Sequence, residues 1–324
     1  MSLQLVLAHA MCSGWTLSSF DIKGAYLYSP VKETVFLEPP TYFCPQLKGK
    51  ALRHEASGQM LVVVPVGHPD LDGLCGDGNA VFDFKRWPCA EVDIKWHNII
   101  CQIVGLECAF GEDQVAIAQR RLTKIILDSY SGPIVKNDCP LSVLPPPNIA
   151  VEGEKLDATP FRLVIGSLAY LVSGSCPDLA FAVNYLALTK GHWDILDHVV
   201  GYLLKTQHHR LVMQPGKLLL NLWSDASWGG ALERCQTGFM LKLGEAPILW
   251  SSKRQGVVAL STCVAEYVAL SNSAQHLVQA ISQLGYLTQS FNKTIFCDNQ
   301  AAVQVLIDNL SRKQMQYLDC AFFL

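Results

Sequence analysis

The stretch Thr262 to Leu284 contains neither glycine nor proline, and it limits the available folds more than any other feature. An uninterrupted run of this length reads as one long helix, and a helix with apolar residues needs a surface to lie on. The flanks supply it. Leu218 to Trp223, Gly238 to Leu243 and Pro247 to Ser251 read as strands before the helix. Thr294 to Cys297 reads as a strand after it, and Asn299 to Asn309 as a second helix. The order β-β-β-α-β-α predicts an α/β domain over residues 216–324, a mixed sheet flanked by helices.

The preceding chain divides at Leu144-Pro145-Pro146-Pro147 through Thr159-Pro160, which is too rich in proline for a regular element. Residues 145–160 therefore read as a linker. Residues 161–215 read as helical. Phe161 to Leu188 gives two helices broken near Cys176-Pro177-Asp178, and His192 to Thr206 gives a third that ends at the solvated pair His208-His209. Residues 1–144 read as an incomplete α+β unit. Leu3 to Met11 is a buried helix, Ser13-Gly14 a turn and Thr16 to Ile22 a strand. Thr34 to Glu38 is extended, Met60 to Val66 a buried strand, and Gly67 to Gly73 a turn. Residues 97–109 read as a strand pair or a hairpin and Gln114 to Ser129 as a helix.

At 324 residues the chain has room for two cores. Half the residues are hydrophobic and 16% charged, which excludes a largely disordered protein. The net charge of −3 lacks the basic excess of a protein that grips nucleic acid everywhere, so any such face is a local patch. The N-terminus has no positively charged start of the kind signal peptides carry. No apolar run reaches the roughly 18 residues of a membrane span. These features predict a soluble protein of the cytoplasm or nucleus, neither secreted nor membrane-bound. The 12 cysteines form no C-x-x-C pair, so they read as free thiols rather than a zinc or redox framework.

Three carboxylates carry the chemistry. Asp225 follows the first strand, Glu266 lies within the long helix, and Asp298 ends the fourth strand. Singly, each has an ordinary explanation as a cap, a solvated helix residue or a turn. Acids at strand ends and on an apolar helix face are tolerated together when they share a metal or a partner. Carboxylates converging on one point are ligands for Mg²⁺. Two such ions about 4 Å apart activate a water and stabilise the leaving oxygen of a phosphodiester.

The motifs around these acids resemble the ribonuclease H of copia-type retrotransposons. They are Trp223-Ser-Asp-Ala-Ser-Trp-Gly, Cys235-Gln-Thr-Gly-Phe and Trp250-Ser-Ser-Lys-Arg-Gln. Ala259-Leu-Ser-Thr-Cys-Val-Ala-Glu-Tyr-Val-Ala-Leu and Cys297-Asp-Asn-Gln-Ala-Ala follow in the family's order and at its spacing. The resemblance implies a ribonuclease H-like fold and cleavage of RNA in an RNA–DNA hybrid. It implies Asp225, Glu266 and Asp298 as catalytic metal ligands, and Mg²⁺ as the cofactor with Mn²⁺ as a substitute. Lys253 and Arg254 are the candidates for contact with the hybrid backbone. The pattern departs at Thr262-Cys-Val-Ala-Glu-Tyr, which loses one family acid and keeps Glu266. Gln316-Tyr-Leu-Asp319 loses the family histidine. A fourth family carboxylate belongs to an Ala-Asp motif that this sequence does not contain, which leaves Asp319 as the candidate substitute.

Phe20-Asp-Ile-Lys-Gly-Ala-Tyr-Leu resembles the copia-type polymerase motif that carries the first catalytic aspartate, matched by Asp21. Val35-Phe-Leu-Glu-Pro-Pro continues the match, as do Phe161-Arg-Leu-Val-Ile-Gly-Ser-Leu-Ala-Tyr-Leu, Cys176-Pro-Asp-Leu-Ala-Phe-Ala-Val and Tyr202-Leu-Leu-Lys-Thr. The resemblance implies that residues 1–144 are a partial palm of a reverse transcriptase. Its paired aspartates are missing. Asp70 and Asp72 are split by Leu71 and preceded by Pro69, which changes the side chain that points inward. The segment between Lys48 and Met60 is short for the family. Polymerase activity is therefore expected to be lost. Two readings of the chain remain: a hybrid-specific nuclease, or an inactive retroelement fragment that keeps a binding role.

Overall fold

The computed structural model describes residues 3–13, 16–22, 58–64, 94–97, 102–103, 105–141, 159–188, 192–228, 234–285 and 292–307. They belong to two compact units, residues 14–104 and residues 1–13 with 105–324. In the smaller unit β1 (Thr16–Ile22) runs between β2 (Gly58–Val64) and β3 (Ile94–His97), antiparallel to both. A short strand, β4 (Gln102–Ile103), completes the described part of this unit.

The larger unit begins with α1 (Leu3–Ser13), whose Leu5, Leu7, Ala8 and Ala10 are buried. It continues at β5 (Leu106–Phe110) and β6 (Val115–Ala118). The helix expected over Gln114 to Ser129 is thus a strand followed by α2 (Arg120–Ser129). All four residues of β6 are buried, and the strand pairs with β5 on one side and with β7 (Leu211–Met213) on the other. Neighbours on both edges override a helical spacing of apolar residues.

Next come α3 (Thr159–Gly174), a 3₁₀ turn at Pro177–Leu179, α4 (Ala180–Leu188) and α5 (Trp193–Thr206). Helix α3 takes in Thr159 and Pro160, both read as linker. Proline is compatible with the first turn, where its missing N–H has no partner to lose. These helices and α2 share one apolar core that includes Phe161, Leu168, Leu171, Leu196 and Leu203. Gly201 of α5 lets the Val135 backbone come close, since a Cβ there would overlap the Val135 carbonyl. Sequence alone groups residues 105–141 with the first 144. In the fold they join the larger unit, because β6 pairs with β7 and α2 packs on α3 and α5.

The second sheet of this unit contains β8 (Leu219–Ser227), β9 (Gln236–Leu243), β10 (Ala246–Arg254) and β11 (Asn292–Phe296), in the order β10-β9-β8-β11. The first three are antiparallel neighbours, and β11 runs parallel to β8. The architecture is α/β with a mixed sheet, as expected. Gly244, at φ +60°, makes the tight β9–β10 turn that a side chain would strain. Pro247 coincides with a register shift in β10, where a ladder donor is missing.

Helix α6 (Thr262–Leu284) lies on β8 and β9. Ser261 caps it, its hydroxyl accepting from the Val264 N–H at 3.3 Å. Ser224 of β8 and Ser273 of α6 meet at 3.1 Å, so Leu220 and Leu222, on the Ser224 side of the strand, belong to the buried interface. Helix α7 (Gln300–Ile307) follows β11. Among the described residues no helix is long and apolar enough to cross a membrane.

Candidate functional site

Register decides which acids meet. Strand β8 runs on to Ser227, so Asp225 lies inside the ladder, opposite Gly238, rather than after a strand that ends at Trp223. Strand β11 pairs Phe296 with Trp223. Because the two strands are parallel, two residues further along each brings Asp225 and Asp298 to the same end of the sheet. Asp298 follows β11 by two residues instead of ending it. Asn299 then caps α7, its side-chain oxygen accepting from the Ala302 N–H at 3.0 Å, which fixes where the chain turns.

Glu266 comes to this end from the second turn of α6 and is only 6% exposed. One carboxylate oxygen accepts from the Ala226 N–H at 3.1 Å, and the other has no hydrogen-bond partner. Burial raises the Glu266 carboxyl to about 7. The Ala226 N–H opposes that shift, and the charges of Asp225 and Asp298 add to it. Cys297 joins the group: ligand atoms of Glu266, Cys297 and Asp298 all lie within 4.8 Å of one another. Burial is the main cause of the raised Cys297 thiol pKa, and the three acids add to it.

Asp225 and Asp298 border a cavity of about 750 Å³ whose walls include Trp223, Met240, Phe296 and Cys297. Trp223 and Phe296 stack with ring centroids 5.1 Å apart, and the Lys242 ammonium sits 5.4 Å from the Trp223 ring. A Cβ on Gly238 would meet nothing nearer than the Asp225 carbonyl at 4.0 Å, so the floor of the cavity beside Asp225 is open. Lys253 and Arg254 are exposed at the same end of the sheet, opposite Thr237 and Gln236. They lie two strands from β8, or about 10 Å. His276 of α6 stacks on Phe239 at 4.8 Å, and its pKa is lowered by burial and by Lys253.

Sequence reasoning missed Cys297, His276 and the Trp223–Phe296 pair. The signal for Cys297 was its place directly before Asp298. The aromatic pair depends on a register that only the fold reveals. Asp21 belongs to the other compact unit, on β1, paired in register with Gln59 and Lys95. Asp70, Asp72 and Asp319 lie outside the described residues.

The donor set suits a divalent cation. Three carboxylates offer hard oxygens, and the buried Glu266 oxygen without a donor is an acceptor in want of a positive partner. Glu266 and Asp298, with ligand atoms within 4.8 Å of each other, could hold Mg²⁺ or Mn²⁺, while Asp225 stands at the same sheet end outside that close group.

No protein-family model matches the sequence. Over 368 aligned positions the chain is 26% identical to the Retrovirus-related Pol polyprotein from transposon RE2 of Arabidopsis thaliana, covering 98% of this chain and 25% of that protein. It is 29% identical over 370 positions to the Pol polyprotein from transposon RE1 of the same plant, with the same coverage. It is 37% identical over 127 residues to the Secreted RxLR effector protein 161 of Plasmopara viticola, which covers 37% of this chain and 89% of that protein. The chain spans about a quarter of the length of the two transposon polyproteins. Both alignments are longer than the 324-residue chain, so those relatives carry residues inside the aligned region that this chain lacks.

Proposed function

Because the chain belongs to the Pol polyproteins of copia-type retrotransposons, we propose that residues 216–324 are a ribonuclease H-like domain that hydrolyses the RNA strand of RNA–DNA hybrids with Mg²⁺ or Mn²⁺. One observation supports the reading: the parallel pairing of β8 and β11 puts Asp225 and Asp298 at one end of the sheet, where the charges of both act on the buried Glu266. The strand order, with its fourth strand parallel to its first, agrees with the fold that the motifs imply.

In this reading Asp225, Glu266 and Asp298 hold the cations. The chemistry such cations supply is activation of a water and neutralisation of charge on the leaving oxygen. The Ala226 N–H fixes one Glu266 oxygen and leaves the other without a hydrogen-bond partner. Lys253 and Arg254, at the same sheet end, hold a phosphate backbone across the neighbouring strands. We assign no polymerase activity, since the split pair Asp70 and Asp72 does not supply adjacent acids.

Incubation of a labelled RNA–DNA hybrid with the purified chain in Mg²⁺ or Mn²⁺ tests the proposal. The expected result is cleavage of the RNA strand, reduced in Asp225→Asn by more than the ten- to hundredfold or so typical of losing an outer-shell partner. A folded chain that binds the hybrid without cutting it overturns the nuclease reading and leaves a binding module. A folded chain that does neither leaves an inactive retroelement fragment.

A further inference from the structure

A thiol stands among the carboxylates, and hard-cation chemistry has no use for it. Mg²⁺ takes oxygen ligands, whereas Zn²⁺ takes thiolate, imidazole and carboxylate together. Ligand atoms of Glu266, Cys297 and Asp298 lie within 4.8 Å of one another. Donors around one tetrahedral zinc stand on the order of 3.5 Å apart, so small side-chain rotations close the difference. A second observation is independent of the cysteine: the buried Glu266 carboxylate keeps one oxygen without a hydrogen-bond partner. Cys297 is half-buried between the end of β11 and the Asn299 cap of α7, so backbone pairing on one side and a cap on the other fix its place.

We propose that Glu266, Cys297 and Asp298 form a zinc site that overlaps the carboxylate cluster. Zn²⁺ binds with loss of the thiol proton to solvent. Asp225 or water completes the coordination. Zinc seated there withdraws Glu266 and Asp298 from the hard-cation site and inhibits hydrolysis. The inhibition rests on the nuclease reading, and the site itself does not.

The test uses the full chain stripped of metal by a chelator and titrated with Co²⁺, whose bond to a thiolate absorbs in the near ultraviolet. The expected result is one saturable band that Zn²⁺ abolishes by displacement. Cys297→Ser loses the band and weakens Zn²⁺ binding at least about tenfold. Asp298→Asn, which keeps the thiol, weakens Co²⁺ binding without removing the band. Circular dichroism checks that each variant folds, and Cys297→Ala serves where Cys297→Ser does not. A folded wild-type chain with no band overturns the proposal, as does a band unchanged in the Cys297 variants or a Co²⁺ affinity unaffected by Asp298→Asn. Hybrid cleavage in Mg²⁺, run separately, distinguishes the two readings. A band without cleavage keeps the zinc site and removes the nuclease, and cleavage without a band does the reverse.

Discussion

Inside the larger unit, the helical core and the carboxylate end of the sheet treat polar groups in opposite ways. Among the helices Asp197 receives the Tyr130 hydroxyl, Asp178 receives the Tyr202 hydroxyl at 2.6 Å, and Gln119 receives the Ser175 hydroxyl at 2.9 Å. Burial, then the neighbouring aspartate, raises the pKa of both tyrosines, so they remain donors across the whole working range of pH. At the sheet end Glu266 is buried with one oxygen unmatched and two acids beside it. A satisfied polar group inside a fold holds elements together. An unsatisfied acid beside other acids stores electrostatic free energy that a cation can release.

The largest expected effect probes the satisfied region. Leu196 is fully buried in the helical core. Leu196→Ala should destabilise the unit by about 2–5 kcal/mol in chemical denaturation, and added Mg²⁺ should still stabilise the variant. Loss of the Mg²⁺ response would mean that the two regions are not energetically distinct.

Next comes Glu266→Gln. It removes the unmatched charge and should raise metal-free stability by about 1–3 kcal/mol, while abolishing stabilisation by Mg²⁺. A variant less stable than wild type without metal would break the comparison, because Glu266 would then be a structural partner.

The pH dependence sharpens the same point. Burial lifts the folded-state pKa of Glu266 to about 7 from an ordinary 4.5. The folded chain therefore binds that proton more tightly than the unfolded chain. The contribution of Glu266 to metal-free stability is full below pH 4.5 and is lost as pH rises towards 7. Denaturation midpoints across that window should fall in wild type relative to Glu266→Gln. Equal slopes would remove the claim.

The smallest effect is Tyr130→Phe, which deletes the donor to Asp197 and should cost about 1 kcal/mol in denaturation. The Mg²⁺ response should be unchanged.

Much of the sheet was legible because strand and helix periods are local. The stretch Thr262 to Leu284 became α6 at the expected bounds, and Thr16 to Ile22 became β1. Gln114 to Ala118 misled because apolar spacing in so short a run fits either period, and only the neighbours β5 and β7 decide it. In the candidate site, motif order singles out the three acids as candidates. It does not give the charge state of Glu266, which depends on burial against β8. Cys297 escaped notice because a single cysteine carries no spacing of its own, and its place directly before Asp298 gains meaning only once the fold brings Glu266 within reach of both.

That register also has a kinetic consequence. Strands β8 and β11 are separated by β9, β10 and the whole of α6, so Trp223 and Phe296 come into register only after a long loop has closed. Until then Asp225 and Asp298 are strangers in the chain. A ligand of the completed cluster finds nothing to bind in the early folding ensemble. Such a ligand lengthens the lifetime of the native state by slowing unfolding and leaves the folding rate as it was.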